Sequence, residues 1–465
     1  MHLPQFNLDI QGIHAWRQSQ TMWNVRNFHR HDANILNTRI NSFNNENKDN
    51  LYRYEFPVMQ WSIAMVQHVL GERIGVVRVC MFLFGAIGFI GFFYLSREIF
   101  DDPMVALMGT WCWMFSPLIF YYMINTIPDV LALSASVWYL YFIVKHRRTE
   151  LQSDLMWSGI ALLFATWAKL PFLMMAIVSI YFFLVDVIKN KSIRVKDIKY
   201  GMIQILVISP ALAWYAWVIP TWSNGVLTGV FDNPIPWSQT WSYVEYHFSV
   251  MFPQILYSPY LLIIGIIGLI TLPWFKFRLG WILSLIGITF LYLTLEFNMI
   301  GSVHDYYMMP FLPWMYLFVA GGIYYLINSN ARLFHILVVG LLIIIPIHAY
   351  INAQPKWSVE QTYFNPDVLN YSEVLREAVP SDARCIILND LSGYIFSYRI
   401  DKMGFMFNDD RLPTEWIPDM IKNGGAQYMY SDSRVVDERS DVQPYLDSLL
   451  LEAGSVRVYS LSKIE

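Results

Sequence analysis

The sequence predicts a mainly α-helical protein: a polytopic membrane bundle of about ten spans, followed by a small external α/β domain. Composition is the first sign, because 55% of the 465 residues are hydrophobic, 17% aromatic and only 15% charged, against roughly 25% charge in an average soluble chain. Placement is the second: 29 of the charges lie in the 115 residues from Ile351 to Glu465, leaving 39 for the first 350. A polar domain therefore follows an apolar body. The net charge of −4 divides into +3 before Ile351 and −7 after it. Neither part has the positive excess that binding a phosphate backbone needs, which argues against nucleic acid as a partner. Three regions follow: residues 1–73 as an external first loop with interfacial helices, 74–350 as the transmembrane domain, and 351–465 as an external soluble domain.

Ten stretches lack Asp, Glu, Lys and Arg, at 79–96, 104–128, 130–144, 155–168, 170–185, 200–231, 246–275, 279–295, 306–331 and 333–355. Most can cross a ~30 Å hydrocarbon core, which takes ~20 helical residues. The two short ones, 130–144 and 155–168, become spans once their flanks are added, with Asp129, Lys145 and Lys169 at or near the ends. Long side chains there can reach the interface. Alternate loops differ in charge. One set carries twelve Lys and Arg, at Arg97, Lys145, Arg147, Arg148, Lys189, Lys191, Arg194, Lys196, Lys199, Lys276, Arg278 and Arg332, whereas the other internal set carries only Lys169. The first set is expected in the cytoplasm. Residues 1–73, the 221–256 loop and the tail are then external, in a bacterial inner membrane. An external opening segment ordinarily follows a span or signal, and Met1 to Gln11 has neither, so a first span is expected to be missing from this chain.

Between the opening segment and the first span, Glu55-Phe56-Pro57 leads into VMQWSIAMVQHVLG, a helix of about fifteen residues whose Gln60, Gln67 and His68 suit it to lie in the interface. The 36-residue 221–256 loop has Trp222, Trp237, Trp241 and His247 and reads as either a lid or an interfacial anchor. In the tail, Pro366 to Val379 predicts a helix, residues 385–389 a buried strand, Trp416 to Asn423 a helix and residues 428–431 a second strand. Pro444 to Glu452 then leads to the run VRVYSL at 456–461. No catalytic constellation is visible there, which favours acceptor binding or a stabilising role. Cys80, Cys112 and Cys385 form no disulfide or metal pattern, and neither a Walker loop nor a dinucleotide fingerprint is present.

The opening segment carries the run HAWRQSQT at 14–21, then Arg26-Asn27-Phe28 and Tyr54-Glu55-Phe56-Pro57. Further along come Pro128-Asp129, Lys169-Leu170-Pro171, and His304-Asp305-Tyr306-Tyr307 before Pro310. In their order these pieces resemble the bacterial relatives of protein O-mannosyltransferases and aminoarabinose transferase, members of the GT-C superfamily of membrane glycosyltransferases that use polyprenyl-phosphate sugars. The resemblance runs through most of the first 330 residues and hardly touches the tail. It implies a GT-C-like fold, a polyprenyl-phosphate-linked sugar as donor, and a catalytic carboxylate near Asp9. Relatives often have an acidic residue where Gln20 stands here.

The chemistry points the same way. Outside the cytoplasm nucleotide sugars are scarce, so a lipid phosphate is the natural sugar carrier. Transfer then needs a carboxylate for the acceptor hydroxyl, cations for the departing phosphate and an apolar groove for the lipid. Asp9 is the expected base; its plainer reading is a solvated loop carboxylate. Asp129 is the one charge between Met104 and Val144. It is either a second active-site carboxylate or, after Pro128, a favourable first-turn residue of a helix. Arg17 and Lys169 are the expected phosphate ligands, with Arg53 a lesser candidate and snorkelling the alternative for Lys169. For Arg53 and Arg78 an ion pair, for instance with Glu55, is the stronger reading. Glu55, His14, Gln18, His304, Tyr306 and Tyr307 complete the expected pocket, with an interfacial aromatic belt the alternative at 304–307.

The sequence thus predicts an inverting membrane glycosyltransferase acting on a glycan, lipid or protein acceptor. The whole scheme requires these acidic and basic groups to share one non-cytoplasmic face. It requires no cofactor, although scattered external carboxylates leave room for a divalent metal. A transporter or flippase of lipid-linked sugars predicts charges deep within spans and repeated halves, which are not evident. A polysaccharide polymerase or ligase stays open as a second alternative.

Overall fold

The structure, a computed structural model, describes residues 1–43, 50–222, 235–271, 278–302, 304–390, 392–407 and 412–463. They fall into two compact units. One comprises Met1–Leu3, Tyr54–Met59 and Arg78–Gln354; the other comprises Pro4–Arg53, Gln60–Val77 and Pro355–Glu465.

Two helices, α1 (Ala15–Arg30) and α2 (Val58–Leu70), come first, and α2 lies where Pro57 predicts an interfacial helix. The apolar body follows as α3 (Ile74–Phe100), α4 (Pro103–Met114), α5 (Pro117–Tyr122), α6 (Asp129–Thr149), α7 (Gln152–Ala168), α8 (Ile177–Asn190) and α9 (Val195–Val218). It continues through α10 (Trp237–Tyr246), α11 (Pro259–Thr271), α12 (Arg278–Leu295), α13 (Phe297–Ser302), α14 (Leu312–Ile327) and α15 (Arg332–Ala353). Helices thus occupy all ten uncharged stretches. Among the described residues, five are long and apolar enough to cross a membrane: Ile74–Phe100, Leu170–Asn190, Val195–Thr221, Asp305–Ile327 and Arg332–Trp357. A sixth crossing results if Trp237–Leu256 and Pro259–Thr271, bent by 101°, act as one broken span.

The remaining helices are shorter or more polar for legible reasons. Helix α4 stops at Phe115, and Ser116-Pro117 restarts the chain as α5. Helix α6 is 21 residues long, extending beyond its uncharged stretch because Lys145, Arg147 and Arg148 continue its last turns. Cations are stabilised there by the helix dipole.

Side chains at the helix ends distinguish the two ends of this unit. At one, Lys145 pairs with Asp154 at 3.1 Å, Arg147 with Asp186, Arg194 with Asp186 and Asp197, and Lys196 with Glu150. The charged ends of α6, α7, α8 and α9 therefore meet. Lys169 closes the opposite end of α7, fifteen residues from Asp154, which at 1.5 Å per residue is roughly 22 Å away. The charge-rich loops and Lys169 are separated by most of a hydrocarbon core.

Helices α11 and α14 pack backbone against backbone. A Cβ at Gly268 would stand 1.8 Å from the Phe318 carbonyl oxygen, and one at Gly322 would stand 2.1 Å from that of Ile264. Small residues permit such approach where lipid gives helices no hydrophobic reason to associate.

The second unit is built on a five-stranded sheet of β1 (Arg384–Leu388), β2 (Met403–Phe407), β3 (Ala426–Ser431), β4 (Leu446–Ala453) and β5 (Val456–Leu461), in the order β2-β1-β3-β5-β4. β1 runs parallel to β2 and β3, whereas β5 runs antiparallel to β3 and β4. The expected strands at 385–389 and 428–431 are β1 and β3, and the run at 456–461 is β5. Helix 366–379 appears as two short pieces, α16 (Pro366–Asn370) and α17 (Ser372–Glu377). The expected helix at 416–423 becomes a 3-10 turn over 414–416 and α19 (Ile417–Lys422). The sequence reading did not find α18 (Ile395–Ile400) or β2, which complete a parallel crossover after β1.

Most of the opening segment folds with this tail. The Phe43 amide donates to the Gly404 carbonyl at 2.9 Å, and the Gly404 amide to that of Asn41 at 2.9 Å, so residues 41–43 extend the outer edge of β2. Gly12 has φ +87° and its amide donates to Thr362 Oγ1 at 2.9 Å. A Cβ there would come 2.1 Å from the Lys356 carbonyl oxygen. Gly12→Ala is therefore expected to destabilise this unit by about 2–3 kcal/mol, combining a forbidden φ with a backbone clash. An unchanged melting temperature for that variant would remove the argument.

Candidate functional site

In the membrane unit, the site candidates gather at the Lys169 end. Pro171 cannot continue an α-helix, so α7 ends at Ala168 and Lys169 is extended before a 3-10 turn over Leu170–Ala176. This backbone change presents the lysine at the helix end. Nearby, residues 54–56 are clamped by aromatic rings: Tyr54 stacks on Trp222 at 4.8 Å, Phe56 stacks on Trp167 at 4.6 Å, and Trp214 Nε1 donates to the Tyr54 carbonyl at 3.0 Å. Glu55 is thereby held against Lys169, whose Nζ donates to its Oε1 at 2.8 Å. Both are largely buried, with side-chain exposures of 9% for the lysine and 13% for the glutamate. The ammonium also lies 5.1 Å from the Tyr307 ring centre, within cation–π range.

The 304–307 run joins the same end. His304 stacks on Tyr307 at 5.5 Å and tilts against Tyr306 at 5.4 Å. Tyr306 is buried and meets Tyr122 edge-on, while the Tyr122 hydroxyl donates to Asp305. These contacts make the run an ordered wall. Asp129 begins α6 directly after Pro128, as expected, and is 2% exposed. Arg78 is wholly buried and donates to the Ile124 carbonyl at 3.2 Å and to Asn125 Oδ1 at 2.8 Å, fixing the turn that leads to Asp129. Glu55, Asp129, Lys169, His304, Tyr306 and Tyr307 therefore all belong to one end of the membrane unit, opposite the basic loops.

In the second unit, Asp9 is enclosed by the tail. Its Oδ1 accepts from the Tyr398 hydroxyl at 2.6 Å and its own neighbour's amide, Ile10 N, at 2.8 Å, and its Oδ2 accepts from Arg399 Nη1 at 3.1 Å. Burial pushes the Asp9 carboxyl up, but Arg399, Tyr398 and the Ile10 amide outweigh it and hold the group below the usual carboxylate range. Asp401 behaves likewise, with Arg26 and Arg30 overcoming its burial. His14, buried with φ +57°, turns the chain into α1, where its carbonyl accepts from the Arg17 and Gln18 amides. Gln18 Nε2 donates to the Ile13 carbonyl at 3.1 Å. Arg17, 9% exposed, donates to Gln20, which in turn donates to the Tyr394 hydroxyl at 3.1 Å. Arg53 donates to the Leu36 carbonyl and to Asn37 Oδ1, so it braces a loop.

The sequence reading missed Arg399, Tyr398 and Tyr394, because their partners lie more than 340 residues upstream. It also left out Asp305, although the neighbouring His and tyrosines were named. Residues 223–234, the middle of the expected 221–256 lid, lie outside the described residues. Among the described residues no group of three or more His, Cys, Asp and Glu is placed to hold a metal.

The depressed carboxyls give this unit an acid-sensitive contact. Their contribution to stability is complete above the unfolded carboxylate pKa of about 3.9 and is lost as pH falls through the lower folded values. Thermal melting of the second unit is expected to weaken as pH falls below about 4 in the wild type and to weaken less in Asp9→Asn. Equal pH dependence in both would contradict the assignment of the contact to Asp9.

A family model described as dolichyl-phosphate-mannose-protein mannosyltransferase matches residues 55–214, the stretch that holds Glu55, Asp129 and Lys169. No curated protein matches the chain. Among solved structures, apo ArnT from Cupriavidus metallidurans is similar with a TM-score of 0.68 at 12% identity, covering 98% of this chain and 96% of that one. The form of ArnT bound to undecaprenyl phosphate gives the same values. Arabinofuranosyltransferase AftD from Mycobacteria has a TM-score of 0.57 at 12% identity, covering 98% of this chain and 38% of its own. Archaeal oligosaccharyltransferase AglB from Archaeoglobus fulgidus, in complex with an inhibitory peptide and a dolichol-phosphate, has a TM-score of 0.55 at 10% identity, covering 91% and 66%. The chain is an integral membrane protein that shares the fold of ArnT over nearly its whole length, in agreement with the resemblance carried by its motifs.

Proposed function

We propose that the chain is an inverting glycosyltransferase that moves a sugar from a polyprenyl-phosphate donor to a hydroxyl of an extracytoplasmic acceptor. The observation that carries this reading is the buried Lys169, held between Glu55 and the Tyr307 ring at the end of the membrane unit away from the basic loops. A fixed cation there suits a phosphate departing from a membrane-borne lipid. The undecaprenyl phosphate bound to the similar ArnT and the dolichol-phosphate in complex with AglB support a donor of this class.

The reaction forms a bond between the acceptor oxygen and the anomeric carbon, from the face opposite the phosphate. The bond from that carbon to the phosphate oxygen breaks, and polyprenyl phosphate leaves with the electron pair. Asp9 takes the proton of the hydroxyl, and Asp129 assists as the second carboxylate. Arg399, Tyr398 and the Ile10 amide hold the Asp9 carboxyl below the usual range, so the acceptor hydroxyl must displace at least one of these partners for Asp9 to act as base. Lys169 and Arg17 stabilise the phosphate, Arg17 through a guanidinium suited to two phosphate oxygens. Tyr306, Tyr307 and His304 offer aromatic surface to the sugar, and His14 and Gln18 shape the opening segment. Orientation follows the charge of the loops, with the basic set in the cytoplasm.

Incubating the purified protein with a panel of polyprenyl-phosphate sugars and an acceptor is the direct test. Release of free polyprenyl phosphate coupled to glycosylated acceptor is the expected result. Donors flipped across a liposome bilayer without cleavage would replace the transferase reading by transport, and activity confined to lipid-diphosphate glycans would favour a polymerase or ligase.

A further inference from the structure

At the end of the membrane unit opposite Lys169, α6, α7, α8 and α9 enclose a cavity of about 450 Å³. Its walls are apolar, formed by Ile143, Leu162, Ile180, Phe183, Ile205 and Ile208. Its rim carries His146, Arg147, Asp186 and Asp197. From Asp197 at the rim to Ile208 at the inner end, α9 runs eleven residues, roughly 16 Å. One leaflet of a ~30 Å hydrocarbon core has the same depth. The volume lies within the ~300–1,000 Å³ typical of sites for small amphiphiles.

The loops that adjoin the rim, rather than the rim itself, carry the charge that selects among lipids. Between Lys145 and Asp154 and between Asp186 and Lys199, eight Lys and Arg stand with four carboxylates. Those four carboxylates are matched: Asp186 and Asp197 hold Arg147 and Arg194, Asp154 holds Lys145, and Glu150 holds Lys196. Lys189, Lys191 and Lys199 are exposed and make no ion pair among the described residues. Deeper in, Gln204 donates to the Leu155 carbonyl and Ser158 Oγ, and no charged side chain among the described residues lines the inner wall.

We propose that this cavity is a binding site for an anionic diacyl phospholipid, with one acyl chain in the slot and the phosphate at Lys189, Lys191 and Lys199. The site is separate from the transfer chemistry and stands whether or not that reading holds. Each lysine near an anionic headgroup adds attraction, so three give a preference of at least tenfold over a zwitterionic lipid of the same chains.

Gly201 provides the means of testing the slot, because it lines the cavity and a Cβ built on it meets nothing within 4 Å. The full chain, delipidated in detergent, is titrated with phosphatidylglycerol and phosphatidylcholine and followed by native mass spectrometry. The wild type is expected to retain phosphatidylglycerol at least tenfold more tightly. Replacing the three lysines by Gln should bring the two lipids to equal retention, and Gly201→Trp should abolish tight retention of either. Gly201→Leu, a smaller filling, should weaken both and covers the case in which Trp does not fold. Equal retention of the two lipids by the wild type overturns the headgroup assignment. Unchanged retention in the filled variants overturns the slot. Displacement of phosphatidylglycerol by undecaprenyl phosphate at equimolar concentration would show the slot to be built for a prenyl chain, and would overturn the proposal.

Discussion

Replacing Lys169 by Met is expected to lower transfer by about 100- to 1,000-fold, the loss typical of removing one group that stabilises charge in a transition state. Removing Lys169 also breaks its pair with the largely buried Glu55, a change that costs about 3–5 kcal/mol in comparable buried pairs. Loss of activity alone would therefore say little. Glu55→Gln separates the two possibilities. If Lys169 serves the donor phosphate, Glu55→Gln leaves the ammonium in place and transfer stays measurable, while Lys169→Met/Glu55→Gln folds and is inactive. If the pair only braces the helix end, the two single variants lose stability and transfer together, and the double variant recovers both. Donor binding measured beside transfer completes the comparison, since a phosphate ligand must affect it.

Asp9→Asn is expected to reduce transfer by about 100- to 10,000-fold, the range contributed by a general base. It retains the size of the side chain and removes the negative charge. Arg399, 5% exposed at its side chain, then faces a neutral partner. The matching control is Arg399→Gln, which breaks the same ion pair and leaves the carboxylate. A base role requires Arg399→Gln to keep substantial transfer with its pH profile moved, because without the cation the Asp9 carboxyl rises toward the usual range. Equal loss in both variants, with equal loss of thermal stability, would make Asp9 a tether of the opening segment to the tail. The catalytic carboxylate would then be sought at Asp129.

The membrane unit was largely legible because its signal is local. A run without charge is visible residue by residue, and each of the ten runs became helix. Helix lengths were less legible, since Lys145 to Thr149 continue α6 after the apolar run ends. The grouping of Glu55, Lys169 and Tyr307 at one end followed from topology, but the ion pair itself depends on two ring stacks and a tryptophan hydrogen bond that clamp residues 54–56. In the tail, Ile395 to Ile400 contains an arginine and two hydroxyl-bearing side chains and gave no apolar period. It is nevertheless buried, because Arg399 and Tyr398 find Asp9. The edge of β2 is covered by residues 41–43 for the same kind of reason. Pairings between the two extremes of a chain leave no mark on either sequence taken alone.

The glycines at 268 and 322 have a consequence for motion. Two helices whose main chains touch behave as one rigid piece: neither α11 nor α14 can turn about its axis without driving a carbonyl into its neighbour. The 305–311 turn, with Tyr306 and Tyr307, is continuous with α14 and so is anchored to that piece. Any rearrangement of the membrane unit that admits a long lipid must bend elsewhere in the bundle, leaving the tyrosine-bearing wall as a stationary reference against which the other helices are displaced.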